Sequence, residues 1–186
     1  MAEIADDHIL SLILSGNKVN EGYRLLLEKY REQLYWHVRR MVIHHEDADD
    51  VLQNTFVKIF KNLNRFESKS KLYTWMYRIA SNEAITHLKK QKRNASTSID
   101  DEQIGLSDRL EADTFFDGDE VMKRLYLALD TLPEKQRLVF NMRYFDEMSY
   151  QDISDTLGTS VGGLKASYHH AAKKIEQYFK TAQVGM

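Results

Sequence analysis

An all-α fold, with two small helical domains joined by an acidic linker, is what this sequence predicts, and three observations carry the prediction. Apolar residues recur at steps of three and four along most of the chain, the period of a helix with one buried face. No glycine or proline occurs between Tyr23 and Ile104, and Pro133 is the only proline. Charge is segregated: residues 1–93 carry 16 Lys and Arg against 12 Asp and Glu, residues 94–120 carry 1 against 9, and residues 121–186 carry 9 against 7. Two mildly basic helical blocks therefore flank an acidic strip, a pattern more informative about nucleic-acid partners than the net charge of −2.

Composition excludes several classes of protein. At 186 residues the chain has room for one large domain or two small ones. With no cysteine there is neither a disulfide framework nor a thiolate metal site. No apolar run is long enough to cross a bilayer, and the opening MAEIADDHIL lacks the basic region of a signal peptide. The expectation is a cytoplasmic helical protein without a metal or cofactor.

In chain order, residues 5–14 predict a short helix with Ile9, Leu10, Leu12 and Ile13 apolar, ending near Gly16. Residues 21–42 predict a longer one. Its buried stripe is Tyr23, Leu26, Leu27, Tyr30, Leu34, Val38, Met41 and Val42, with Arg31, Arg39 and Arg40 off it. The His44-His45 pair beside Glu46 and Asp47 is no metal motif, since adjacent histidines do not share a helix face. A solvated turn is expected there.

Residues 46–93 organise the chain. Val51, Leu52, Phe56, Ile59, Phe60 and Leu63 form one apolar helix face, and Asp50, Gln53, Asn54 and Val57 fall opposite. The acids Glu46, Asp47, Asp49 and Asp50 suit the positive end of the helix dipole. A polar loop follows Phe66. The next helix has the stripe Leu72, Trp75, Met76, Ile79, Ala80, Ala84 and Leu88, surrounded by Tyr73, Tyr77, Arg78, Asn82, Lys89, Lys90, Lys92 and Arg93. Rings beside cations are what single-stranded bases stack on, at ~1–3 kcal/mol per base. One helix offers a polar docking face and the next offers rings and cations.

Residues 94–120 lose all periodicity and predict the linker. Beyond it, Val121, Leu125 and Leu129 are spaced by four, and Thr131-Leu-Pro-Glu134 has the form of a capping box. Leu138, Val139, Met142 and Tyr144 or Phe145 continue a buried stripe. Ser149 opens a helix with Ile153 and Leu157 inside and Gly158 as its stop. Residues 159–180 then make a final helix, with Val161, Leu164, Tyr168, Ala171, Ala172 and Ile175 inward. Helix, glycine turn, helix is the helix-turn-helix pattern. Gly162 and Gly163 each cost about 1 kcal/mol of helix propensity, which suits a backbone that must approach something closely.

Three stretches carry a resemblance: DADDVLQNTFVKIFKNLNRF, LYTWMYRIASNEAITHLKKQKR and LPEKQRLVFNMRYFDEMSYQDISDTLGTSVGGLKASYHHAAKKI. In order and spacing they resemble regions two and four of bacterial extracytoplasmic-function sigma factors. The resemblance implies a region-two-like domain over 1–93, a linker over 94–120 and a region-four-like helix-turn-helix domain over 121–186. It implies a protein without catalytic activity or cofactor that binds core RNA polymerase and promoter DNA, and it leaves room for an anti-sigma factor. A stand-alone helix-turn-helix regulator would explain only the second block.

Carried onto this sequence, the resemblance assigns Asp49, Asp50, Gln53 and Asn54 to polymerase docking, Asn54 standing where the family usually has glutamate. It assigns the loop of residues 64–71 to capture of a flipped base. Lys69, Lys71, Tyr73, Tyr77, Arg78, Asn82, Lys89 and Lys90 become the minus-ten face. Ser160, Val161, Gly162, Gly163, Lys165, Ala166, Ser167, His169 and His170 become the duplex-reading face, where Gly163, Ser167 and His170 replace the threonine and arginines common in the family. Lys165 is then the one fixed cation on that helix between residues 160 and 170, which implies weak binding to DNA by this part alone.

Overall fold

The computed structural model describes residues 4–95 and 120–183. Among these residues there are eight α-helices and one short 3-10 turn, with no strand. The N-terminal part holds α1 (Asp6–Leu14), α2 (Val19–Val42), α3 (His45–Asn62), the 3-10 turn Leu63–Arg65 and α4 (Leu72–Ala95). The C-terminal part holds α5 (Glu120–Asp130), α6 (Glu134–Tyr144), α7 (Tyr150–Leu157) and α8 (Val161–Gln183). Most of the predicted linker lies outside the described residues. Its first two positions continue α4, and Glu120 already begins α5.

Helices α2, α3 and α4 pack against one another, and α1 lies on α2. The approach of α1 is close because residue 22 is glycine: a Cβ there would stand 2.5 Å from Ile13 Cγ1. Leu26, Leu34, Met41, Ile59, Leu63 and Met76 are fully buried between the helices. The predicted stripes of α2, α3 and α4 supply this core. Arg39 departs from the expectation, being only 3% exposed although it was placed off the stripe. It lies 5.6 Å from the Tyr126 ring, in a cation–π contact that reaches α5. His44 and His45 also depart from a solvated turn. His45 begins α3, and its Nδ1 is 2.8 Å from the Tyr35 hydroxyl.

In the C-terminal part, Ala128, Leu129, Leu132, Phe140, Ala171 and Ile175 form a small core of their own. Val121, expected inside, is 62% exposed, and Tyr126 and Ala128 are the inward residues of α5 with Leu129. The predicted capping box does not form. Thr131 Oγ1 instead donates to Ala128 O at the end of α5, and Pro133 stands just before α6 with no side-chain cap. Of the pair left open, Phe145 is half-buried and Tyr144 is exposed. Ser149 does cap α7, its Oγ accepting from the Asp152 amide at 3.0 Å. Gly158 ends that helix with φ +65°, where any other residue would be strained.

The two parts do not stand apart. Helix α6 is buried all round from Arg137 to Met142 because it has two faces to cover. Phe140 joins the small core, while Leu138, Val139 and Met142 join a cluster continuous with that of the N-terminal helices. Helix α7 rests on α4, and α6 rests on α2.

Candidate nucleic-acid interface

Helix α3 separates its residues by period alone. Val51, Leu52, Thr55, Phe56 and Ile59 face the core, and Asp49, Asp50, Gln53 and Asn54 are exposed together on the outer side. The buried hydroxyl of Thr55 is satisfied within the helix, donating to Val51 O at 2.7 Å. Asp47 belongs to neither face, because His87 Nε2 at 3.0 Å and Gln91 Nε2 at 2.7 Å tie its carboxylate to α4. Beside the exposed acids runs a groove of about 980 Å³ between α2 and α3, with Leu27, Tyr35 and Trp36 on its apolar side and Arg31 and Asp49 on its rim. Trp36, 40% exposed there, is a residue that periodicity gave no reason to single out.

The aromatic and basic side of α4 is assembled as expected, and α7 engages part of it. Arg78 Nε donates to Thr156 O at 2.9 Å, and its terminal nitrogen reaches Asp155 O. Those carbonyls close α7, where a helix leaves its C=O groups without partners and favours a cation. Lys71 Nζ lies 3.1 Å from Asp152 Oδ1. The bond to Asp152 raises the Lys71 pKa, helped by the nearby Tyr73. Burial, followed by the bond to Asp152, raises the Tyr73 hydroxyl. Tyr77, expected as a surface ring, is buried at 5% exposure with its ring centroid 4.7 Å from that of His37. Burial drives its hydroxyl pKa well above the ordinary tyrosine value, so it remains neutral. Asn82, Lys89 and Lys90 are exposed, as is Lys69, which pairs with Glu67. The expected base-capturing loop of 64–71 is shorter than predicted, since the 3-10 turn occupies Leu63–Arg65.

The first turns of α8 make a second, open surface. Ser160, Gly162, Gly163, Lys165, Ala166, His169 and His170 are exposed, and Val161 and Ser167 are half-buried. Leu164, fully buried, anchors the helix between them. Ser160 Oγ accepts from Gly163 N at 3.3 Å, a cap for the free amides of the first turn. Among the described residues, a Cβ at Gly162 would point into open space, and one at Gly163 would meet Ser160 Oγ at 3.3 Å and Thr159 Cγ2 at 3.5 Å. Lys165 Nζ lies 5.8 Å from the Tyr150 ring centroid. Between this surface and the α4 side, a groove of about 470 Å³ is lined by Arg78, Asn82, Leu138, Leu164 and Ser167.

Two successive family profiles match the chain in this order: Sigma-70 region 2 over residues 26–94 and Sigma-70, region 4 over residues 122–175. The chain belongs to the sigma-70 family. It is 27% identical to the RNA polymerase sigma-H factor of Pseudomonas aeruginosa, over 92% of each chain. It is 26% identical to the ECF RNA polymerase sigma-E factor of Escherichia coli strain K12, over 94% of each. With the ECF RNA polymerase sigma factor SigW of Bacillus subtilis it shares 25%, over 86% of this chain and 90% of the other. The fold is that of two solved structures, each 20% identical. CnrH in complex with the cytosolic domain of CnrY matches at a TM-score of 0.70, over 96% of this chain and 99% of that one. The sigma factor RpoE in complex with the anti-sigma factor NepR from Bartonella quintana matches at 0.67, over 85% and 96%. Region two is thus built on α2 to α4, and region four on α5 to α8.

What the sequence did not reveal is the set of residues joining the regions. His37 and Arg40 of α2 meet Asp146 from the turn after α6, and Arg137 of α6 reaches Met41 O at 2.9 Å. These partners lie about a hundred positions apart, where no periodicity links them.

Proposed function

We infer that this chain is an alternative sigma factor that directs RNA polymerase to promoters, with a division of labour that follows the surfaces. Asp49, Asp50, Gln53 and Asn54, with the α2–α3 groove beside them, dock on a basic helical surface of the core enzyme. Lys71, Tyr73, Arg78, Asn82, Lys89 and Lys90 follow the separated minus-ten strand. The start of α8 reads the minus-thirty-five duplex. No residue serves a catalytic step, and the working place is the cytoplasm, where polymerase and promoter are found. Among the described residues no helix is long and apolar enough to cross a membrane. No group of three or more acids and histidines there is placed to hold a metal ion. The solved relatives named above are bound to NepR and to CnrY, which supports an anti-sigma partner for this chain as well.

The observation that carries this reading is the pairing, on adjacent helices of region two, of an exposed acidic face with a ring-and-cation face turned elsewhere. A stand-alone helix-turn-helix regulator has no use for the first of these. Run-off transcription from a promoter library, with core polymerase and with or without the chain, tests the function directly. Asp50→Lys should weaken core binding while leaving the far-UV helix signal unchanged. Equal affinity for the core would sink the docking assignment.

A further inference from the structure

The seam between the regions differs in kind from the interior of either. His37 and Asn141 are fully buried, Arg39 is 3% exposed and Arg137 is 5% exposed. Among the described residues, Arg40 Nε, Arg137 Nε and both polar atoms of the Asn141 side chain are buried without a hydrogen-bond partner. Permanent cores rarely leave such groups unpaired, because each loses its water and gains nothing. Surfaces that are covered at one time and wet at another carry them readily.

At the centre stands Asp146, whose side chain is 3% exposed. One carboxylate oxygen is 2.7 Å from His37 Nδ1, and the other is 2.5 Å from an Arg40 terminal nitrogen. Ser81 Oγ lies 2.7 Å from Tyr77 O and 3.0 Å from His37 Nε2, so the ring is held on both sides. His37 and Arg40 of α2 thus share one carboxylate of region four. Arg40 also lies 4.6 Å from the Phe145 ring, beside the same turn. The clasp lies beside buried Tyr77, and Arg78 and Lys71 next to it are engaged by α7.

We propose that Asp146 is a latch: held by His37 and Arg40, it keeps region four against the minus-ten side of region two, with Tyr77 buried and Arg78 and Lys71 engaged, and the free chain binds single-stranded DNA weakly until that contact breaks. The proposal rests on the sigma-factor reading for the purpose of the covered surface, but the latch itself is a statement about shape. Removing the carboxylate leaves the Arg40 guanidinium without its counter-charge and His37 Nδ1 without its partner, which favours separation of the regions.

The absence of cysteine lets a dye pair be placed at will, with cysteines introduced at Lys61 on α3 and Lys174 on α8, both exposed. In the full-length chain, Asp146→Asn and Asp146→Ala should lower energy transfer between the dyes while the far-UV helix signal stays unchanged. Both should tighten binding to a fluorescein-labelled single strand of about 20 mixed nucleotides by ~tenfold or more, the open form becoming the major one. If Asp146→Ala does not fold, Asp146→Asn, which keeps the shape, carries the test. Unchanged transfer in the folded variant overturns the latch. Opening without a gain in single-strand binding overturns the occlusion. Failure of the sigma-factor reading would show separately, as absence of promoter-directed transcripts from the wild-type chain with core polymerase.

Discussion

The proposed minus-ten side of α4 and the start of α8 differ in how far the rest of the chain engages them. On α4, Arg78 and Lys71 are occupied by Thr156 O, Asp155 O and Asp152, and Tyr77 is buried. On α8, Gly162, Gly163, Lys165, His169 and His170 face outward. The difference lies in what each side needs to bind. A phosphate strand and the C-terminal carbonyls of a helix are both arrays of oxygen acceptors with negative character, so α7 can occupy arginine's place for DNA. The start of α8, proposed to read a duplex groove, has no such acceptor array seated on it among the described residues. On the proposed reading, the duplex-reading side is open, while Tyr77, Arg78 and Lys71 of the strand-binding side are engaged within the chain.

The largest effect that separates the two sides is expected from Arg78→Ala. With core polymerase, open-complex formation should fall by tenfold or more, since a hydrogen bond to a charged group is worth ~1.5–3 kcal/mol. Duplex binding by the free chain should not change, because α8 is untouched. Permanganate footprinting and duplex titration measure the two. A parallel loss in both would mean that the sides do not act separately.

Glycines sharpen the comparison at the next level. Gly158→Ala forces a side chain into a left-handed conformation and should cost about 1–2 kcal/mol in denaturant unfolding. Gly162→Ala meets open space and should stabilise the helix by up to ~1 kcal/mol. If the backbone there approaches DNA, the same variant binds duplex less well while being more stable. Unchanged duplex affinity would remove Gly162 from the reading face.

Much of the fold was legible because each helix announces its own buried face. The stripes of α2, α3 and α4, the Ser149 cap and the Gly158 stop all depend on residues within a few positions of each other. The exposed acids of α3 and the exposed start of α8 were legible for the same reason. Tyr77 and Arg39 were not. Period placed both off the buried stripes of their helices: Arg39 meets Tyr126 of region four, and Tyr77 lies against His37 of α2, which Asp146 of region four holds. The capping box failed for a local cause, since the Thr131 hydroxyl is used by the preceding helix. Sequence patterns report the faces a helix needs to hide, but not which distant surface hides the remainder.

A smaller effect is expected from Lys165→Ala, which bears on the open side. If Lys165 touches phosphate, the log–log salt slope of duplex binding should drop by about 0.9 and affinity should fall evenly across sequences. If it reaches a guanine edge, discrimination at one position should relax instead. Wild-type and scrambled duplexes at two salt concentrations distinguish these outcomes. No change in either would place the DNA-facing side of α8 elsewhere.

The smallest effect concerns acid and the clasp between Lys71 and Asp152. Burial pushes the Asp152 carboxyl upward, but bonds from the Ser149 and Tyr73 hydroxyls and from Lys71 outweigh it, so its pKa lies below the ordinary value. Opening the seam removes Tyr73 and Lys71 and leaves Ser149, which belongs to the same helix end. The carboxyl therefore returns toward the ordinary value of about 3.9 in the open chain. A group with a depressed pKa in the closed state stabilises that state above the ordinary value, and the contribution is lost as pH falls through the depressed one. Acid should thus loosen this clasp below about pH 4, and not between pH 5 and 8. Because Lys71 is exposed, salt screens its share and the effect stays modest. Energy transfer across the seam, followed from pH 6 to pH 3, should fall less steeply in Lys71→Met than in wild type, and the gap should narrow as salt is raised. Superimposable acid curves for the two proteins would show that Asp152 adds nothing to closure.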